Sequence, residues 1–105
     1  MDENILIQVN SDHKINVDER LTAHVENILK DTLKHFSDRI TRVEVHLSDE
    51  NSHKSGQDDK RCALEVRLKG YQPIAVTHQA NTIDRAVSEA AEKMKRSIEN
   101  VLGKN

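Results

Sequence analysis

Six histidines are the residues of this 105-residue chain that most readily suggest a metal site. They are His13, His24, His35, His46, His53 and His78. Structural zinc sites usually draw on closely spaced ligands, such as two histidines one helical turn apart or paired cysteines. No such spacing occurs here, and the 11-residue steps among the first four histidines match no ligand template. The sequence therefore predicts solvated polar histidines, with no metal site and no cofactor.

The single cysteine, Cys62, is the strongest candidate nucleophile. It alternates with Leu64 and Val66, and alternate residues of a strand point to the same face. We therefore expect Cys62 to be a small core residue rather than a reactive thiol. The serines form no nucleophile elbow, and the three glycines form no phosphate-binding loop. These observations argue against an enzyme and against a small-molecule substrate.

Three basic residues of the last predicted helix, Arg85, Lys93 and Arg96, lie off its apolar stripe and could contact phosphates. A solvated helix face is an equally good interpretation. Glu89 stands four residues before Lys93, and this orientation favours an intrahelical ion pair. Glu92 stands in the same relation to Arg96. No aromatic residue occurs among them, so this ridge is not predicted to stack on bases.

Four strands and two helices must position these residues. Alternating apolar residues predict strands around Ile5, Ile7 and Val9 and over residues 40–48, 61–69 and 73–79. Apolar residues at helical spacing predict a first helix over residues 18–36, capped by Asp18, and a last helix capped by Asn81 or Thr82. Each strand has one apolar and one polar face, as in an antiparallel sheet that is covered on one side. The predicted fold is α+β, a β-α-β-β-β-α two-layer sandwich with both helices on one face of a four-stranded sheet.

The composition predicts one domain over residues 1–105 with a small aliphatic core. Hydrophobic residues make up 35% of the chain and aromatic residues 2%, so Phe36 and Tyr71 are the only large rings for that core. The acidic start "MDENILIQVN" has no signal-peptide character, and no apolar run could span a bilayer. With one cysteine, the chain fits a reducing compartment. We expect a cytoplasmic monomer with no membrane partner.

The net charge of −2 hides an asymmetry along the chain. Residues 1–53 carry 6 Lys/Arg against 11 Asp/Glu, whereas residues 54–105 carry 10 against 7. A basic surface is therefore expected mainly from the second half.

Two stretches of sequence carry a resemblance to a known family. In "HFSDRITRVEVHL" an aromatic residue and an Arg-Ile pair lead into the second strand. In "NTIDRAVSEAAEKMKRSIENVL" an Ala-Val pair precedes Lys93 and Arg96. With the order of elements, these stretches resemble the ribosome hibernation-promoting factor and ribosome-associated inhibitor family over nearly the whole chain. The resemblance implies a fold shared with double-stranded RNA-binding domains. It also implies binding to the small ribosomal subunit and silencing of ribosomes in stress or stationary phase.

The resemblance also implies an rRNA-binding site. The basic ridge of the family falls on the last helix, and family lysines late in the first helix are matched by Lys34. The predicted rRNA-binding residues are Lys34, Lys60, Arg61, Arg85, Lys93, Lys95 and Arg96. An alternative is a protein-interaction or stress-regulatory module that keeps the fold and has lost rRNA binding. The acidic first half favours it, as do Thr32 and Asn100 at positions that are basic in the family.

The loop from Ser48 to Lys60 joins the two middle strands, where a double-stranded RNA-binding domain carries a loop that contacts nucleic acid. The acidic residues of the loop would repel rRNA, so a ribosomal protein is its expected partner. Lys60 and Arg61, at the edge of the strand, are the expected phosphate contacts. An insertion without a function is an equally good interpretation.

Overall fold

The structure, a computed structural model, describes residues 5–12, 15–50 and 60–103. Its elements in order are β1 (Leu6–Ser11), α1 (Glu19–Thr32), a 3-10 helix (Lys34–Phe36), β2 (Ile40–Asp49), β3 (Lys60–Leu68), β4 (Ile74–Ala80) and α2 (Ile83–Leu102). This order confirms the predicted α+β fold, and the bounds of β2, β3 and β4 lie within one residue of those predicted.

The helices begin at the residues whose side chains cap them. The Asp18 carboxylate accepts a hydrogen bond from the backbone N–H of Leu21 at 2.9 Å, and the Thr82 hydroxyl caps α2 in the same way at 3.1 Å. The first helix is shorter than predicted, because it ends at Thr32 and the chain tightens into the 3-10 turn. Gly103, with φ of +80°, adopts the left-handed conformation that ends α2.

The sheet has the strand order β1-β2-β3-β4. β2 and β4 both run antiparallel to β3, as predicted. β1 runs parallel to β2, so the prediction of an all-antiparallel sheet is wrong at this edge. The reason is the connection: α1 carries the chain back to the starting end before β2 begins, and such a crossover joins parallel strands.

The topology also fixes the direction of the helices. α1 runs antiparallel to β1 and β2. β4 has the same direction as β2, and α2 runs antiparallel to β4. Both helices contact the same side of the sheet and each other, so they lie parallel. Their C-terminal ends meet where β2 begins and β3 ends. We call this end of the molecule the helix-C end, and the other the helix-N end.

The core lies between the helices and one face of the sheet. Its largest fully buried side chains are Leu29, Leu33, Leu47, Leu64, Met94 and Ile98. Cys62 is also fully buried, which confirms the predicted core residue, and burial raises the pKa of its thiol to about 12. Phe36 packs against this core, but Tyr71 does not, because it is 45% exposed in the turn before β4. No helix in the described ranges is long and apolar enough to cross a membrane.

Candidate nucleic-acid interface

The predicted basic ridge is spread around the exposed side of α2. Successive residues of an α-helix are separated by about 100°, so Lys93 and Arg96 lie about 60° apart and Lys93 and Lys95 about 160° apart. Lys93 lies on the flank towards β4, where its ammonium donates a hydrogen bond to the carbonyl oxygen of Thr77 at 2.8 Å. Lys95 lies on the other flank, nearly in line with Asp84, which contacts α1.

Glu89 does not pair with Lys93, and that prediction is wrong. The two carboxylate oxygens of Glu89 are taken by other partners, His78 Nε2 at 2.6 Å and the Arg85 guanidinium at 3.1 Å. The hydrogen bond from Arg85, followed by that from His78, lowers the pKa of the Glu89 carboxyl. Lys93 instead reaches the edge strand through Thr77. Its charge therefore has a structural partner within the protein.

Arg96 is the ridge residue with the greatest freedom to bind an anion. It is exposed, and no ion pair or hydrogen bond engages its side chain within the part of the chain that the structure describes. The predicted pair between Glu92 and Arg96 is thus wrong as well. Lys95, which is half-buried, also has no carboxylate partner among the described residues. Both cations could neutralise a phosphate without first breaking an internal ion pair.

Lys34 lies at the same end of the molecule as Lys95 and Arg96, because α1 and α2 are parallel. Its ammonium lies 3.8 Å from Asp31, and both side chains are mostly exposed. Exposed pairs of this kind contribute little free energy, so Lys34 remains accessible to a stronger anion. Lys30, one turn earlier, is exposed as well and was not in the predicted set.

The remaining three predicted residues lie towards the helix-N end. Lys60, at the start of β3, pairs with Asp49 at 3.6 Å. Arg61 faces the helix-free side of the sheet, since its neighbour Cys62 points into the core. Arg85 is held by Glu89 and lies about 16 Å along α2 from Arg96, given a rise of about 1.5 Å per residue. The seven predicted residues therefore do not form one site, and their binding of rRNA remains a prediction.

Carboxylates concentrate at the helix-N end. Asp18 and Glu19 begin α1, Asp84 begins α2, and Asp49 and Glu50 end β2. The helix-C end carries more cations than carboxylates: Lys30, Lys34, Lys95 and Arg96 lie there beside Asp31, Asp38 and Glu99. The chain thus presents a basic end although its net charge is −2. This separation arises from the topology and cannot be seen by counting charges along the sequence.

A second group of cations at the helix-C end was absent from the predicted set. The backbone N–H of Lys69, just after β3, donates to the carbonyl oxygen of Arg39, just before β2, at 3.0 Å. Arg67, two residues before Lys69 and within β3, is also exposed. No ion pair engages any of these three side chains within residues 5–12, 15–50 and 60–103. All three residues lie at or near strand ends, and this was the feature of the sequence that could have identified them. Helical periodicity could not.

Two of the histidines in the described ranges pair with carboxylates. His24 bridges to Asp84 and His78 to Glu89, each at 2.6 Å, and no group of three or more potential metal ligands occurs among the described residues. The predicted contact of the Ser48 to Lys60 loop with a ribosomal protein falls mostly on residues 51–59, which lie outside those that the structure describes.

Comparison with solved structures shows the same fold in two proteins of known structure. The N-terminal domain of Protein Y from Thermus thermophilus matches with a TM-score of 0.69 and 17% identity, covering 94% of this chain and 99% of that one. A ribosomal subunit interface protein from Coxiella burnetii matches with a TM-score of 0.74 and 14% identity, covering 92% and 97%. No curated protein matches the sequence at a significant level.

The sequence itself identifies the family. The profile described as "Sigma 54 modulation protein / S30EA ribosomal protein" matches residues 7–105, which is nearly the whole chain. This match agrees with the structural relatives, whose fold the chain shares. The chain therefore belongs to the Sigma 54 modulation protein / S30EA ribosomal protein family.

Proposed function

We propose that this protein binds the small ribosomal subunit through rRNA at its helix-C end and silences ribosomes during stress or stationary phase. The observation that carries the proposal is the family match over residues 7–105. It is supported by a structural relative whose name is ribosomal subunit interface protein. The proposal includes a cytoplasmic monomer that acts as one domain over residues 1–105.

The arrangement of charge supports contact with an RNA backbone. Phosphate neutralisation by Lys and Arg releases condensed counterions and supplies much of the affinity of such complexes. Arg96 and Lys95 have no ion-pair partner among the described residues, and the exposed pair of Lys34 is weak. The carboxylates at the helix-N end would point away from an RNA surface bound at the other end. They would orient the protein as it approaches.

Arg96 is the residue from which we expect the largest single contribution. A guanidinium can donate two parallel hydrogen bonds to one phosphate, and this one is exposed on the outer side of α2. Lys93 is the weaker candidate, because binding a phosphate would cost it the hydrogen bond to Thr77. Lys60, Arg61 and Arg85 would need a second, separate contact surface near the helix-N end.

The alternative, a protein-interaction module without rRNA binding, drew support from the acidic first half of the chain. That support weakens because more than half of the first-half carboxylates that the structure describes lie at the end opposite to the proposed interface, namely Asp12, Asp18, Glu19, Asp49 and Glu50.

Sucrose-gradient fractionation of stationary-phase lysate tests the proposal. We expect the protein in the fractions of the small subunit or of the whole ribosome at low salt, and its loss from them as the salt concentration rises. Protein found only at the top of the gradient at low salt would contradict the proposal and favour the alternative.

A further inference from the structure

An exposed aromatic side chain shares a turn at the helix-C end with Lys69, whose side chain has no ion-pair partner among the described residues. Tyr71 is 45% exposed, in a turn closed by a hydrogen bond from its own backbone N–H to the carbonyl oxygen of Leu68 at 3.2 Å. Gly70, with φ of +81°, provides the left-handed conformation that this turn requires. In a chain with so few aromatic residues, leaving this ring exposed forgoes the stabilisation that its burial in the core would have given.

The cations near this ring come from both strands of the β2–β3 pair. Lys69 is two residues from Tyr71 in the same turn. Its backbone hydrogen bond to Arg39 places that second cation next to it, just before the neighbouring strand β2. Arg67 lies directly opposite Arg42 in the register of the sheet. Arg42 is held by Glu44 at 2.7 Å and Gln8 at 2.6 Å, whereas the guanidinium of Arg67 has no hydrogen-bond or ion-pair partner within the described ranges. The charge of Arg42 is therefore compensated within the sheet, whereas the charge of Arg67 is left for an anion to neutralise.

From these observations we infer that Arg39, Arg67, Lys69 and Tyr71 form a binding patch for unpaired RNA, here named the sheet-end patch. The three cations would contact consecutive phosphates, and the Tyr71 ring would stack on one exposed base. Base stacking on an aromatic side chain tolerates any sequence, since every base has a flat face. The patch is separate from the basic ridge of α2. It deepens the proposed function by adding a second RNA contact at the same end of the molecule.

This inference rests on the proposed function only for the natural source of the RNA. The patch can be tested alone, because Tyr71 is the only tyrosine and the chain contains no tryptophan. The intrinsic fluorescence of Tyr71 therefore reports on the patch without any introduced label. Titration with a single-stranded 12-nucleotide uridine oligomer at low salt should quench this emission in a saturable manner. An RNA duplex of the same length should quench it much less, since its bases are already stacked.

Two variants with the same charge change separate the patch from general electrostatics. Lys69→Glu should weaken oligomer binding by about tenfold or more, and it should reduce the dependence of affinity on salt. Arg20→Glu, at the exposed start of α1 near the helix-N end, should leave both nearly unchanged. Tyr71→Ala, followed by the anisotropy of a labelled oligomer, should weaken binding by roughly tenfold, and Tyr71→Phe should not. Circular dichroism should show that all four variants fold.

The inference is overturned if wild-type emission is not quenched, if the duplex quenches it equally, or if Lys69→Glu binds as tightly as Arg20→Glu. Unchanged affinity of Tyr71→Ala would contradict the stacking contact. These results are independent of the gradient experiment. A protein that binds the oligomer through the patch but never sediments with ribosomes would refute the proposed function and leave the patch established.

Discussion

The hydrogen bond from Lys93 to the carbonyl oxygen of Thr77 predicts that Lys93 stabilises the fold. The sequence had suggested that Lys93 binds rRNA. At 2.8 Å this hydrogen bond joins α2 to β4, an edge strand of the sheet. Lys93→Met removes the ammonium and keeps most of the apolar length of the side chain. Arg96→Met is the matched control, because it removes one positive charge from the same helix, three residues away, where no partner among the described residues is lost.

The magnitude follows from the exposure of the bond. A hydrogen bond from a charged donor contributes about 1.5–3 kcal/mol when it is well buried. This bond is exposed, so water can replace either partner, and we expect Lys93→Met to lower the free energy of unfolding by about 1 kcal/mol or slightly less. Arg96→Met, on the surface, should change it by less than about 0.5 kcal/mol. For a domain of this size, about 1 kcal/mol corresponds to about 4–8 °C in Tm.

Thermal unfolding followed by circular dichroism, with urea titration as a second measure, distinguishes the two variants. We expect Lys93→Met to melt several degrees below Arg96→Met at the same pH and salt. Equal melting temperatures would show that the contact with Thr77 contributes nothing measurable. The result also affects binding experiments, because a loss of ribosome binding in a Lys93 variant would partly reflect a loosened helix.

Three other predictions concern the core and the charge network. Cys62, fully buried with its thiol pKa raised to about 12, should react with a thiol reagent at pH 8 only after denaturation, and rapid labelling of the native protein would contradict its place in the core. Leu64→Ala, in the centre of β3, should cost about 2–5 kcal/mol in urea titration, and a loss below about 1 kcal/mol would contradict tight packing there. Glu89 has its pKa lowered below 4.5 in the folded state by Arg85 and His78, so its stabilising effect should be present above pH 4.5 and disappear as the pH falls through the folded pKa. Glu89→Gln should therefore lose less stability than the wild type over that range, and identical pH profiles would contradict the network.

Much of the fold could be predicted because local patterns and tertiary packing agree. Strand alternation and helical spacing located the four strands and both α-helices, though not the 3-10 helix, and the sequence indicated Asp18 as one cap and Asn81 or Thr82 as the other. The parallel pairing of β1 with β2 was missed, since a single strand with one apolar face does not specify the direction of its neighbour.

The site was harder to predict because it depends on which residues share an end of the molecule. Helical spacing alone suggested an ion pair between Glu89 and Lys93, but His78, 11 residues before Glu89 on β4, competes for that carboxylate. Similarly, Tyr71 was assigned to the core by its residue type, whereas the turn at Gly70 leaves it exposed. Such contacts between separate elements are not encoded in any local pattern.

The proposed binding of the small ribosomal subunit by the helix-C end can be tested by one measurement with two variants. Affinity for purified small subunits should be measured at several salt concentrations for the wild type, Arg96→Glu and Arg20→Glu. Both variants change the net charge equally, but they lie near opposite ends of the molecule. We predict that Arg96→Glu binds at least tenfold more weakly with a shallower dependence on salt, while Arg20→Glu binds like the wild type. Equal affinities for the two variants, or a larger loss for Arg20→Glu, would contradict the claim.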